Sequence, residues 1–177
     1  MVPTRTNVST PTAASSSTAM AADGEPMPVE QTVSGRPSYA IAVEELAAVG
    51  VETFVRVGTT GALQPGVEIG DTIVATGAAK DEGTTKRYED VAVPAVPDYG
   101  TLSALVEASE ARNAPVHVGP VATDDAFYAE TDDYVEAWNE AGLLAVEMEA
   151  VEMAAASIST QSRPASFQAA TCSSVSA

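Results

Sequence analysis

The chain has 177 residues, 45% of them hydrophobic, and a formal net charge of −17 from 25 acidic and 8 basic residues. This length and apolar content suffice for one packed domain. No cluster of lysine or arginine interrupts the negative charge, which excludes binding to nucleic-acid phosphates. No apolar run approaches the roughly 18 residues of a membrane span, and a lone cysteine, Cys172, cannot form an internal disulfide. We therefore expect a cytoplasmic protein without membrane contact.

The acidic residues recur along the chain and do not form a tail. Between Gly35 and Met153, 22 acidic residues face 6 basic ones. Such a surface either is simply well solvated or keeps a protein soluble in high salt, where self-repulsion is screened. We favour the halophilic interpretation because lysine is nearly absent while acidic residues continue throughout the folded part.

Both terminal segments differ from the middle of the chain in composition. Residues 1–34 are rich in Ser, Thr, Pro and Ala without an apolar period, and residues 154–177 are rich in Ala and Ser without an acidic residue. Such segments bury too little apolar surface to offset chain entropy. We predict disorder in both, and one folded domain over residues 35–153.

Helical and strand-like patterns alternate within this domain. A helix is predicted from Pro37 to Gly50, with Ile41, Leu46 and Val49 available for its buried face. The stretches "ETFVRVG" and "DTIVATGAA" are rich in β-branched residues and predict strands.

The second half of the domain continues the alternation. "DYGTLSALVEASEARN" predicts a helix, "APVHVGPVAT" a strand, and "TDDYVEAWNEAG" a helix that Thr131 caps and Gly142 ends. "LLAVEMEA" begins as a strand and passes into a helix. Strands separated by helices predict an α/β layered domain.

Arg56 lies near the carboxyl end of its predicted strand and is followed by Gly58 and Thr59. A guanidinium stays charged, so an anion should meet it. Strand ends of α/β sheets hold ligands, and glycine, hydroxyl and amide groups suit a small oxyanion such as phosphate. The alternative is a structural salt bridge to one of the many carboxylates.

The stretch "VEMEA" offers two carboxylates. If it is extended, Glu147 and Glu149 project to the same side and can accept hydrogen bonds from sugar hydroxyls, with Met148 packing on the adjacent face. The alternative is a helix start with acidic residues near its positive end.

An aromatic pair, Phe127 and Tyr128, lies within "TDDAFYAETDDY" and can stack on a planar base or pack in the core. The aspartates around it lack further metal ligands, because the single histidine, His117, is on a predicted strand and Cys172 is in the tail. We expect no metal site and a structural role for His117.

Four stretches taken in order resemble the nucleoside phosphorylase family, and uridine phosphorylases in particular. They run from about Gly35 to Ala150 and comprise "GRPSYAIAVEELAAVGVETFVRVGTTGALQPGVEIGD", "VPAVPDYGTLSALVEA", "HVGPVATDDAFY" and "VEMEA". The resemblance implies a three-layer α/β/α fold, no cofactor, and reversible conversion of a nucleoside and phosphate to a free base and ribose 1-phosphate. It also implies a homo-oligomer, if the family's assembly is retained.

The same resemblance implies roles for individual residues, with Arg56 and Glu149 as the catalytic pair. The implied binding residues are Arg56, Gly58 and Thr59 for phosphate, Thr59, Met148 and Glu149 for ribose, and Phe127 and Tyr128 for the base.

The chain departs from the family pattern in three places. Thr131 and Asp133 stand where uridine phosphorylases have the glutamine and arginine that hold uracil, which leaves a purine nucleoside as an alternative substrate. The family's first strand and glycine-rich loop have no counterpart in residues 1–34, and its long helix and following strand have none after Ala150. A non-catalytic phosphorylase-like fragment or interaction module is therefore the alternative of another class.

The charge imbalance predicts that salt stabilises the folded chain. The midpoint of thermal unfolding should rise from dilute buffer to molar potassium chloride, because screening relieves the repulsion among the 22 acidic residues between Gly35 and Met153. Circular dichroism over a salt series measures this, and a flat or falling midpoint contradicts it.

Overall fold

The computed structural model describes residues 15–21, 28–33, 36–151, 154 and 163–169, with side chains described for residues 39–151 and 154. These residues form one mixed eight-stranded sheet, three α-helices, a short 3-10 helix, Thr85–Arg87, and helical backbone at Ala150, Val151 and Ala154. The strands are β1 Ser15–Ala21, β2 Pro28–Val33, β3 Val51–Gly58, β4 Gly61–Ala62, β5 Thr72–Asp81, β6 Val116–Asp124, β7 Ala145–Glu147 and β8 Arg163–Ala169. The helices are α1 Arg36–Ala48, α2 Tyr99–Glu110 and α3 Asp132–Glu140.

The strand order is β2-β1-β3-β8-β5-β6-β7-β4. Strands β5, β6 and β7 are mutually parallel, β8 is parallel to β3, and β8 runs antiparallel to β5. In a flat sheet, β3 and β4 would lie about 24 Å apart, since five strand spacings separate them. Only Thr59 and Thr60 join these strands, and three residue steps span at most about 11 Å. The sheet therefore curves until β4 and β7 approach the end of β3.

Helix α1 packs on β3, but through a different face from the one that its sequence predicts. Its buried side chains include Tyr39 and Val43, which join Phe54 of β3, whereas Ile41 is 52% and Val49 79% exposed. The prediction that Ile41 and Val49 form the buried face is wrong. Tyr39, Val43 and the half-buried Leu46 follow the 4-3 spacing of one helical stripe, and Ile41, two residues from both Tyr39 and Val43, points away from it.

Both faces of the carboxyl half of β6 are buried. On β6, Val121 packs with Ile73 and Ala145, while its neighbour Ala122 packs on the other side with Trp138 of α3. Such burial on two faces is typical of a layered α/β domain, so the predicted fold class is confirmed.

The predicted helices and strands of the middle region are present as α1, α2, α3, β3, β5, β6 and β7. Thr131 is the N-cap residue of α3, although its side chain makes no capping hydrogen bond there. Among the described residues, no helix is long and apolar enough to cross a membrane.

The sequence predicts disorder in both terminal segments, whereas the structure has three strands there, β1, β2 and β8. β1 pairs with both β2 and β3, and β8 lies between β3 and β5. A composition poor in apolar residues predicts that few side chains are buried. Pairing in a sheet satisfies the backbone N–H and C=O groups of a strand, and this does not depend on side-chain type. The remaining residues of 1–34 and 154–177, except Ala154, lie outside the described residues.

His117 has a structural partner at the start of its strand. Its Nε2 lies 2.8 Å from Asp71 Oδ2, and the same oxygen accepts the backbone N–H of Glu68 at 2.9 Å. The hydrogen bond from Glu68 and the contact with His117 lower the pKa of Asp71 below its ordinary value. This pair joins the loop before β5 to β6.

Asp71→Asn should therefore lower the free energy of unfolding at neutral pH. A lowered carboxyl pKa stabilises the fold above the ordinary value of 3.8 and loses that effect as pH falls through the folded value. The difference in the free energy of unfolding between parent and variant should become smaller as pH drops from about 5 towards 2. Urea unfolding over this range measures it, and a difference independent of pH contradicts it.

Candidate functional site

The side chain of Arg56 is buried near the carboxyl end of β3, with 1% of it exposed. Phe54, Arg56 and Gly58 share one face of the strand because side chains alternate with a period of two. Phe54 belongs to the apolar cluster beneath α1, whereas the guanidinium lies against Gly58 at the end of the strand.

Two carboxylates compensate this guanidinium. Nη1 of Arg56 lies 2.9 Å from Oε2 of Glu147, and Nη2 donates a hydrogen bond to Oε2 of Glu149. Burial by itself would lower the pKa of Arg56, but the charges of Glu147 and Glu149 raise it above its ordinary value. The salt-bridge alternative for Arg56 is thus realised, and the arginine stays charged.

The two glutamates do not satisfy all the donors of Arg56. Within the described part of the chain, neither Nε nor Nη1 has a hydrogen-bond acceptor in suitable geometry, although Nη1 is in ion-pair range of Glu147. Unmatched donors of a buried guanidinium cost free energy, and an acceptor brought to them would offset that cost.

Gly58 lies against the guanidinium. A Cβ atom built at residue 58 would come within 2.6 Å of Nη2 and 2.9 Å of Cζ of Arg56. These separations are shorter than van der Waals contact, so only glycine leaves Arg56 in its observed position.

Glu147 and Glu149 have different surroundings. β7 ends at Glu147, and helical backbone begins at Ala150. The Glu147 carboxylate is fully buried, receives the hydroxyl of Thr123, and accepts the backbone N–H groups of Glu149 at 2.7 Å and Ala150 at 2.9 Å. The helix-start interpretation of "VEMEA" is present, because Glu147 caps that start, and the segment is extended only as far as Glu147. Both carboxylates contact Arg56, and hydrogen bonding of Glu149 to a sugar stays a prediction.

Two other residues of the predicted site are more accessible than Glu147. Thr59 is exposed and Met148 is half-buried. Thr60 is buried instead, and its hydroxyl donates to the carbonyl oxygen of Val146 at 2.6 Å, which ties the loop after β3 to β7. This hydrogen bond helps to hold the strands that carry Arg56 and Glu147 together.

The aromatic pair is on the surface. Phe127 is 50% and Tyr128 90% exposed, and their rings meet edge to face with centroids 5.2 Å apart. They are not core residues, which leaves stacking on a ligand as the open interpretation. Thr131 and Asp133 are also exposed, at the start of α3.

Of the aspartates near this pair, Asp124 stabilises a local turn and Asp125 joins this segment to the loop after β5. Asp124 accepts the N–H of Ala126 at 2.8 Å, and Asp125 accepts that of Gly83 at 2.8 Å. No group of three potential metal ligands occurs among the residues that the structure describes.

A cavity of about 140 Å³ lies beside the same segment, and Asp81, Asp124, Glu130, Tyr134 and Trp138 are among its lining residues. Burial, followed by the charge of Asp124, raises the pKa of Glu130. Ligand pockets usually measure about 300–1,000 Å³, so this cavity is too small for a nucleoside.

Comparison with protein families identifies the fold. The family model described as the phosphorylase superfamily matches residues 6–166. The chain belongs to this superfamily. The resemblance of its four stretches to nucleoside phosphorylases is thereby confirmed, and the phosphorylase match extends beyond the stretches from Gly35 to Ala150.

Relatives with assigned names agree with the family. The chain is 61% identical over 128 residues to a guanosine phosphorylase of Halorubrum lacusprofundi, covering 72% of this chain and 53% of that protein. It is 39% identical over 145 residues to a uridine phosphorylase of Klebsiella aerogenes, covering 74% of this chain and 57% of that protein. The chain thus spans about half the length of these relatives.

A solved structure agrees with this fold. The crystal structure of uridine phosphorylase from Vibrio fischeri, complexed with 6-hydroxy-1-naphthoic acid, superposes with a TM-score of 0.78 at 32% identity. The superposition covers 85% of this chain and 63% of that chain.

The sequence patterns missed two residues that contact the candidate site. Thr123 donates its hydroxyl to Glu147, and Tyr39 of α1 is one of the groups that raise the pKa of Arg56. Thr123 had a detectable signal, because it is polar and stands at the carboxyl end of an apolar strand. Tyr39 had none, since an aromatic residue in an amphipathic helix predicts core packing.

Gly58→Ala should displace the Arg56 guanidinium and lower the free energy of unfolding by about 1–3 kcal/mol, the usual cost of overpacking. Gly61→Ala is the matched control, because a Cβ there meets its nearest described atom, Cγ1 of Val146, at an ordinary 3.5 Å. Urea unfolding of both variants measures the difference. Equal stability of the two variants would show that residue 58 has room for a side chain.

Proposed function

We propose that this chain binds inorganic phosphate and a nucleoside at Arg56 and Glu149 and catalyses phosphorolysis of the nucleoside. The supporting observation is the buried guanidinium at a strand end, whose Nε and Nη1 lack acceptors within the described residues. Gly58 lies directly against this group, and exposed Thr59 follows Gly58 in the chain. A phosphate supplies several oxygens to such donors at once.

The proposed reaction exchanges one bond at C1′ of the ribose. The bond between C1′ and the base nitrogen breaks, its electron pair leaves with the base, and a phosphate oxygen bonds to C1′ from the opposite face. Arg56 orients the phosphate for this attack, and Glu149 accepts hydrogen bonds from the ribose hydroxyls. Glu149 suits this role because 15% of its side chain is exposed, so sugar can reach it.

Thr59, Met148, Phe127 and Tyr128 complete the proposed substrate contacts. Thr59 would serve phosphate and ribose, Met148 would pack on the ribose, and the exposed aromatic pair would cover the base. The reaction needs no cofactor, since phosphate is the nucleophile and the base is the leaving group.

Uridine is the favoured substrate, supported by relatives named uridine phosphorylase in Klebsiella aerogenes and Thermococcus kodakarensis. Guanosine is the second candidate, supported by the 61% identity to a guanosine phosphorylase and by Thr131 and Asp133 in place of uracil-binding residues. We further propose a cytoplasmic homo-oligomer. The exposed apolar side chains of Ile41 and Val49 are available for contacts between copies of the chain.

The purified chain, in molar potassium chloride, should release base from uridine or guanosine only when phosphate is present. Arg56→Lys should lower kcat/KM by about 100-fold or more, because lysine keeps the charge but loses the planar fork that orients an oxyanion. Arg112→Lys is the control, since Arg112 is exposed on the turn after α2. Chromatographic separation of base from nucleoside measures both rates.

Three results would contradict the proposal in different ways. A parent chain that binds phosphate without releasing base would favour the non-catalytic alternative. Equal rates for parent and Arg56→Lys would remove Arg56 from the mechanism. Turnover of guanosine alone would exclude uridine as the substrate.

A further inference from the structure

We propose that Glu147 is a positioning residue, locked by Thr123, that fixes the guanidinium of Arg56 in the orientation that receives phosphate. This inference rests on the proposed function, because it assigns the residue that prepares the phosphate site. Glu147 would not touch phosphate or nucleoside and would act through Arg56.

The contacts of Glu147 leave its carboxylate no freedom to turn. Oε1 receives the hydroxyl of Thr123, whereas Oε2 receives two backbone N–H groups, from Glu149 and Ala150, and lies 2.9 Å from Nη1 of Arg56. Each oxygen is therefore held by a different part of the fold. Rotation that brought Oε1 towards Arg56 would break all three hydrogen bonds.

Burial distinguishes the two glutamates that face Arg56. The Glu147 side chain is 0% exposed, whereas that of Glu149 is 15% exposed. A substrate hydroxyl can reach Glu149 but not Glu147. When Glu149 turns to a sugar, Glu147 remains as the fixed carboxylate that keeps Arg56 charged and in place.

Thr123 is placed for this role by sheet register. Thr123 of β6 and Glu147 of β7 are direct neighbours in the parallel pair, so their side chains project from the same face. The Glu147 carboxylate thereby fixes the position of the Arg56 guanidinium relative to two adjacent strands, β6 and β7.

The position and the charge of the Glu147 carboxylate have opposite effects on phosphate binding, so different substitutions can separate the two effects. A carboxylate beside Arg56 repels an incoming anion, so loss of its charge alone should favour phosphate binding. Loss of its position should disfavour binding, because the guanidinium no longer faces the anion. Thr123→Val and Glu147→Asp change position and keep the charge, whereas Glu147→Gln removes the charge and nearly keeps the shape.

The experiment measures the dissociation constant of inorganic phosphate by titration calorimetry in molar potassium chloride, with thermal unfolding of each variant alongside. Thr123→Val and Glu147→Asp should each weaken binding by about tenfold, the scale of one hydrogen bond to a charged group. Because Thr123 acts through Glu147, the double variant should bind phosphate no more weakly than Glu147→Asp alone. Glu147→Gln should lose less affinity than Glu147→Asp.

Thr85→Val is the matched control. Thr85 is also buried and also donates its hydroxyl to a glutamate, Glu82, in the loop after β5. Its loss should lower stability without changing phosphate affinity.

The outcomes separate this inference from the proposed function. Unchanged phosphate affinity in Thr123→Val and Glu147→Asp, with only stability reduced, would overturn the positioning role and leave the proposed function standing. Additive losses in the double variant would likewise overturn it. A parent chain that binds no phosphate would overturn the proposed function, and the positioning role with it.

Discussion

The buried charge of Arg56 is the constraint on which the site and much of the sheet depend. A guanidinium that is 1% exposed must meet compensating carboxylates, because an unpaired buried charge is strongly destabilising. Those carboxylates come from the end of β7, four positions away from β3 in the strand order. Curvature of the sheet, the two-residue link to β4 and the hydrogen bond from Thr60 to Val146 bring the ends together.

The stretch "VEMEA" combines structural and chemical roles within five residues. Glu147 ends a strand, caps the following helix and compensates Arg56, whereas Glu149 pairs with the same arginine from a position that solvent reaches. One guanidinium between two carboxylates leaves this cluster with an excess of negative charge. Among the described residues the two carboxylates leave Nε and Nη1 of Arg56 without a hydrogen-bond acceptor, and these are the donors that the proposed phosphate would meet.

Sequence patterns predicted the middle of the fold because its elements carry strong local signals. Apolar periodicity, glycine stops and β-branched runs identified α1, α2, α3 and the strands β3, β5, β6 and β7. The buried face of α1 was assigned to Ile41 and Val49 wrongly, since hydrophobicity alone does not show which stripe meets a neighbouring strand. The segments that form β1, β2 and β8 carry no local sequence pattern typical of a strand. Pairing with neighbouring strands orders them instead.

The sequence by itself determined the family, the α/β class and the set of polar residues at strand ends, since these follow from residue type and order. It brought Arg56, Gly58, Glu147 and Glu149 forward as candidates but left the partner of Arg56 open between phosphate and a carboxylate. Only the tertiary structure decided that Glu147 and Glu149 share the guanidinium and that Thr123 locks Glu147. These contacts join residues 24 to 93 positions apart, and such pairings arise from sheet curvature and register, which no local pattern encodes.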